Sequence, residues 1–185
     1  TQHWLMQLLQ AGEVAATATA VFAQRRATWS AAEAPAPAGM PPPDSLPRAP
    51  LKGRPPWARN FDMRFAEGGM PDVFDGQEQP HARSRLWVRD EPPRPLDFAA
   101  LASLSDTFFP RVFIRRRKAA PIGTVSLTTY FHADAAQLAA QGSRHVLATA
   151  RALAYRNGYF DQSAELWSDA GELLTSTHQI VYFRD

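Results

Sequence analysis

Residues 144–184 read RHVLATARALAYR-NG-YFDQSAELW-SDAG-ELLTSTHQIVYFR, and the punctuation of this stretch decides the fold. Asn157-Gly158 is a two-residue hairpin signal, because a tight hairpin needs positive φ at both central residues. Asp169-Ala170-Gly171 is a second turn signal. They separate three long strands, Arg144–Arg156, Tyr159–Trp167 and Leu173–Arg184. Val146, Ala148, Ala150, Ala152 and Ala154 share one face of the first, a row of small side chains on which a helix can lie close. Upstream, Ile122–His132 (IGTVSLTTYFH) alternates, with Val125, Leu127, Thr129 and Phe131 on one face and Thr124, Ser126, Thr128 and Tyr130 on the other. Pro95–Asp106 (PLDFAALASLSD) reads as a helix, with Pro and Asp in its first turn and an apolar Ala/Leu/Phe face. Phe61–Phe65 and Arg85–Arg89 read as strands, and Ala133–Gln141 as a short helix or turn. One helix followed by four long antiparallel strands specifies an α+β domain, a sheet wrapped around a helix.

The rest of the chain is organised around proline. Fourteen of the 16 prolines lie between Pro35 and Pro95. The densest part, Ala34–Pro56, reads as an extended linker. Three segments follow: residues 1–30, a linker 31–56, and a main domain 57–185. In the first, Gln2–Gln10 and Glu13–Gln24 read as a β-hairpin about Ala11-Gly12; a helix over 13–24 is the rival reading. An ungapped internal repeat favours the hairpin: residues 10–25 (QAGEVAATATAVFAQR) align with 169–184 (DAGELLTSTHQIVYFR). The repeat points to a duplicated domain, with residues 1–30 the tail of a first copy. Because the first residue is Thr and not Met, the natural N-terminus, with any signal peptide, is expected to lie upstream.

The composition excludes several function classes. Lys+Arg number 20 and Asp+Glu 18, a net charge of +2, too nearly neutral for a nucleic-acid or anionic-membrane surface. No run approaches the ~20 apolar residues that span a bilayer. With no Cys there is no disulfide, thiolate metal site or Cys nucleophile. The five His show no metal-ligand spacing, and Walker, GxGxxG and GxSxG motifs are missing, so no metal or cofactor is expected.

Three polar residues stand out. Asp106 ends the helix, where a carboxylate opposes the macrodipole; it reads either as a solvated last-turn residue or as a base at the mouth of an apolar pocket. Gln179 shares a strand face with Leu173, Val181 and Phe183, and a buried amide needs partners. Its repeat equivalent is Ala20, so the copies match in frame and differ at this polar position. Thr124 is ordinary for a strand by itself. Arg115-Arg116-Arg117-Lys118 reads as a solvated basic loop or as a phosphate clamp for a substrate such as coenzyme A.

The segments LASLSD (Leu101–Asp106), TVSLTTYFH (Thr124–His132) and STHQIVYFR (Ser176–Arg184), in that order, resemble the C-terminal half of the acyl-CoA thioesterase II (TesB-like) family. Residue 130 is Tyr where that family usually has Trp. The resemblance implies a double hot-dog fold, with residues 1–30 the closing hairpin of a first hot dog and 57–185 the second. It implies a site of Asp106, Thr124 and Gln179. It also implies hydrolysis of an acyl-CoA to free fatty acid and coenzyme A, without cofactor, in a cytoplasmic homo-oligomer. With no Cys and no Ser–His pair, direct attack by water is expected rather than an acyl-enzyme. Asp106 would take the proton, Thr124 and Gln179 would orient the water, and a backbone N–H near the helix would meet the oxyanion. Arg115–Arg117 would meet coenzyme A, and Phe98 and Leu101 the acyl chain. The alternatives are a non-catalytic acyl-binding hot dog, a hot-dog enoyl-CoA hydratase drawing on His132 or His178, and a structural assembly domain.

Overall fold

The computed structural model describes residues 1–184, in two compact units that divide after Ala31. The first is a hairpin of β1 (Gln2–Gln10) and β2 (Glu13–Phe22). Gln10 pairs with Glu13, so only Ala11 (φ 52°) and Gly12 (φ 87°) turn the chain, both in the left-handed region that such a turn demands. Gly171, the repeat equivalent of Gly12, has the same φ of 87°.

The second unit contains β3 (Phe61–Glu67), β4 (Ser84–Asp90), α1 (Phe98–Leu104), α2 (Arg111–Arg116), β5 (Ile122–Phe131), α3 (Ala135–Gln141), β6 (Val146–Arg151), β7 (Tyr155–Arg156), β8 (Tyr159–Trp167) and β9 (Leu173–Phe183). Its strands form one antiparallel sheet in the order β3-β4-β6-β8-β9-β5, with β7 beside β8. No described helix is long and apolar enough to cross a membrane.

Period-two alternation gives this sheet two different faces. Leu86, Ala148 and Leu166 line up across β4, β6 and β8 and are fully buried together with Ala100, Leu101 and Leu104 of α1. Ala148, Ala150 and Ala164 keep the sheet surface flat here, which lets the helix settle onto it. One position along, Trp87, Leu147 and Trp167 line up on the opposite face. They pack against Ala36, Met40 and Leu46 of the proline-rich stretch. That stretch, read from sequence as an extended linker, therefore lies in the second unit as an ordered strap. Extended proline-rich backbone leaves its carbonyls unpaired. Here Trp87 Nε1 donates to the Pro41 carbonyl at 2.8 Å, Trp167 Nε1 to Ala34 at 3.1 Å, and Arg64 Nη1 to Pro43 at 3.0 Å.

Several boundaries differ from the sequence reading for local reasons. The helix expected over 95–106 spans only Phe98–Leu104, because Asp97 caps it by accepting from the Ala100 N–H at 2.6 Å. The strand expected over 144–156 breaks after Arg151. There the Asp161 carboxylate takes the N–H groups of Leu153 and Ala154, at 3.0 and 2.8 Å, which a ladder would otherwise use. The basic run is not a loop throughout, since Arg115 and Arg116 form the last turn of α2 and Arg117 caps it at φ 47°.

Candidate active site

A cavity of about 540 Å³ opens between the end of α1 and strands β5, β8 and β9. Its apolar wall includes Trp57, Phe61, Phe108, Ile122, Leu127 and Val181; its polar groups include Asp106, Thr124, Gln162 and Gln179.

Asp106 enters it from a turn that continues α1. The N–H groups of Ser105, Asp106 and Thr107 bond the carbonyls of Leu101, Ser103 and Leu104, and the Ser105 and Thr107 hydroxyls add bonds of 2.7 and 2.9 Å to Leu101 and Leu104. Leu101, Leu104, Phe108 and Phe109 around this turn are buried, so the backbone that carries Asp106 is anchored on both sides. These three N–H groups are committed to the turn, so none is a free oxyanion donor of the kind expected near the helix.

Thr124 is placed by a β-bulge. Leu127 pairs with Gln179 but Thr124 pairs with Val181, and the register shifts between Thr124 and Ser126. The extra residue, Val125, cancels one step of alternation. Thr124 and Leu127, assigned by strict alternation to opposite faces, both line the cavity.

Gln179 joins the two. Its Nε2 lies 3.1 Å from Asp106 Oδ1 and 2.9 Å from Thr124 Oγ1. Its Oε1 accepts from Gln162 Nε2 at 2.8 Å. Gln179 and Gln162 are 5% and 2% exposed, whereas Asp106 and Thr124 keep a surface open to solvent. Protein packed around the Asp106 carboxyl strips hydration from it and pushes it above the ordinary carboxylate range, while the Gln179 N–H bond pulls the other way. Among the described residues no ion pair reaches Asp106 and no cluster of His, Asp and Glu could hold a metal.

The chain matches the family model for the acyl-CoA thioesterase C-terminal domain over residues 30–183. It belongs to the acyl-CoA thioesterase family. Its fold is the hot dog, shared with several solved structures. A conserved hot-dog protein of unknown function from Alicyclobacillus acidocaldarius is 44% identical over 100% of this chain and 67% of that one, with a TM-score of 0.89. Acyl-CoA thioesterase II TesB2 from Mycobacterium marinum is 20% identical over 98% of this chain and 68% of that one, with a TM-score of 0.68. A tesB protein from Mycobacterium avium subsp. paratuberculosis is 19% identical over 86% and 57%, with a TM-score of 0.60. No curated protein matches the chain.

The other residues singled out from sequence lie elsewhere. Leu101 is wholly buried in the core, and Phe98 sits half-exposed edge-on to Phe131 with ring centroids 5.8 Å apart; neither lines the cavity. Arg115 pairs with Glu78 at 3.3 Å and Arg117 with Asp75 at 2.8 Å, and Arg115, Arg116 and Arg117 are not cavity residues. His132 bonds Ser176 at 2.9 Å and His178 lies 4.0 Å from Asp161, and the side chain that acts on the Asp106 carboxyl is Gln179. Gln162 was missed. Its signal is the same as that of Gln179, a lone amide on the face of β8 that otherwise carries Phe160, Ala164 and Leu166.

Proposed function

We propose that the chain hydrolyses an acyl-CoA thioester to a free acid and coenzyme A by direct attack of water held at Asp106 and Thr124. The observation that carries this reading is the pair of hydrogen bonds that one amide, Gln179, donates to a carboxylate and a hydroxyl from distant parts of the chain at a single cavity. Hydrogen-bond accounting supports it. Both hydrogens of the Gln179 amide are used, one on Asp106 and one on Thr124. Thr124 Oγ1 accepts, so its own hydrogen is free to donate to a water oxygen. The second oxygen of Asp106 is free to accept from the same water. Gln179 thus orients the two groups that touch the water, a refinement of the role expected from sequence. The water oxygen bonds to the thioester carbonyl carbon as its proton passes to Asp106. The C–S bond then breaks, the electron pair leaves on sulfur, and the sulfur takes up the proton. The carboxyl's upward push suits a base that must hold a proton transiently. The apolar wall suits an acyl chain. Exposed Val125 and Tyr130 on the edge strand β5, 60% and 61% exposed, fit the homo-oligomer that is part of this reading.

Release of free thiol from acyl-CoAs of graded chain length tests the reading. Turnover by the unsubstituted chain, reduced about 100-fold or more in Asp106→Asn with an unchanged unfolding curve, is expected. Binding without thiol release would place the chain among acyl-binding proteins, and wild-type turnover in Asp106→Asn would overturn the assignment of the base.

A further inference from the structure

Among the described residues Arg111 is the largest fully buried side chain, at 0% exposure, and no carboxylate of theirs pairs with it. Such a charge is costly to bury, so its presence calls for a reason. Its guanidinium is surrounded by acceptors. Nη1 donates to the Ala82 carbonyl at 2.9 Å and to Ser84 Oγ at 2.7 Å, Nη2 to the Phe109 carbonyl, and Nε to Phe109 and to Gln162 Oε1, both at 3.0 Å.

The bond to Gln162 has a direction that propagates. A guanidinium donates and never accepts, so the Gln162 oxygen must face Arg111 and its NH2 must face away. That NH2 meets Gln179 Oε1 at 2.8 Å, so the Gln179 oxygen faces Gln162. The Gln179 NH2 is then left for Asp106 and Thr124. An isolated amide pair could turn over with almost no change of shape. Turned over, Gln179 would aim its carbonyl at the Asp106 carboxylate, a repulsive contact. The donor-only cation removes that alternative.

We propose that Arg111 is a positioning residue, which acts through Gln162 to fix the end of the Gln179 amide that faces Asp106 and Thr124. The catalytic consequence rests on the hydrolytic reading given above, whereas the direction of the hydrogen-bond chain does not. Residues 111, 162 and 179 come from α2, β8 and β9, so the chain of bonds also ties the site to three elements of the fold.

Replacing Arg111 itself risks unfolding, so Gln162 carries the test. Gln162→Glu gives Arg111 a carboxylate partner but removes the donor to Gln179. Gln162→Met removes both polar ends at similar volume and adds no charge. With Gln162→Glu, thermal stability is expected to stay level or rise while kcat falls about 10-fold or more and KM changes little. A purely structural glutamine would instead lose activity only in step with stability. With Gln162→Met, carboxyl-13C NMR, using Asp106→Asn to assign the Asp106 signal, is expected to show Asp106 titrating higher than in the unsubstituted chain, because the N–H that favours its charged form is no longer held in place. Unshifted Asp106 titration in Gln162→Met would overturn the proposal, as would unchanged kcat in Gln162→Glu. If the unsubstituted chain releases no thiol, the hydrolytic reading fails alone, and the NMR titration still decides the positioning role.

Discussion

Replacing Gln179 by Met separates the structural from the chemical value of this amide. The two side chains have similar volume, so the core keeps its packing and only the polar ends are lost. Gln179 makes three bonds, and their worth differs with burial. Gln162, 2% exposed, loses the acceptor for its NH2 and gains no water, which costs about 1–3 kcal/mol. Asp106 and Thr124 are open to solvent and rehydrate, at little cost to stability. The expected loss is therefore about 1–3 kcal/mol, a fall in Tm of roughly 2–12 °C at this size. Activity falls further, because the carboxylate and hydroxyl are no longer held in one arrangement; misplacement by about 1 Å costs on the order of 100-fold in kcat. The Gln179 N–H favours the ionised form of Asp106, so its loss also shifts the acid limb of the pH–kcat profile upward. Differential scanning fluorimetry and a thiol-release assay from pH 4 to 9 read both quantities. A variant with the expected fall in Tm but with kcat within about twofold and an unmoved acid limb would refute the reasoning, and reduce Gln179 to a satisfied core amide.

Two further expectations concern the sheet face opposite α1. His145 Nε2 lies 3.1 Å from Asp62 Oδ2, and both are buried. Burial, and then the charge of Arg89, hold His145 below its ordinary value against the pull of Asp62. As pH falls through about 6.5 the unfolded chain takes up a proton that the folded chain refuses, so stability declines. Burial alone would push Asp62 up, but bonds from Arg64 and His145 outweigh it and hold the carboxyl down, so its contribution is lost only at lower pH, below about 4. Urea midpoints should decline between pH 7 and 5, and His145→Gln should flatten that decline; an unaltered slope in the variant would contradict the assignment. The double change Trp87→Phe with Trp167→Phe removes the indole bonds to the Pro41 and Ala34 carbonyls, at about 1 kcal/mol each. Limited proteolysis within residues 34–49 should accelerate, and an unchanged rate would mean that these bonds do not hold the strap.

Local chemistry in the sequence is enough to place most strands and the turns between them. Asn157-Gly158 can take two successive positive φ values, 53° and 78°, and few other pairs can. The alternation in Tyr159–Trp167 and Leu173–Phe183 names their buried faces, and Gln179 stands out there as an amide that needs partners. Asp106 is also visible, as a carboxylate at the end of an apolar helix. Tertiary structure decides what local patterns cannot encode. One inserted residue, Val125, sets the face on which Thr124 lies, because a bulge is defined by the register against β9. The proline-rich stretch becomes a strap because Trp87, Leu147 and Trp167 meet in a row only once three strands have paired. Arg115 and Arg117 turn to Glu78 and Asp75 because a loop folds beside them. The direction of the Gln179 amide depends on Arg111, 68 residues away (179 − 111). A hydrogen bond carries orientation through space, and sequence distance holds no record of it.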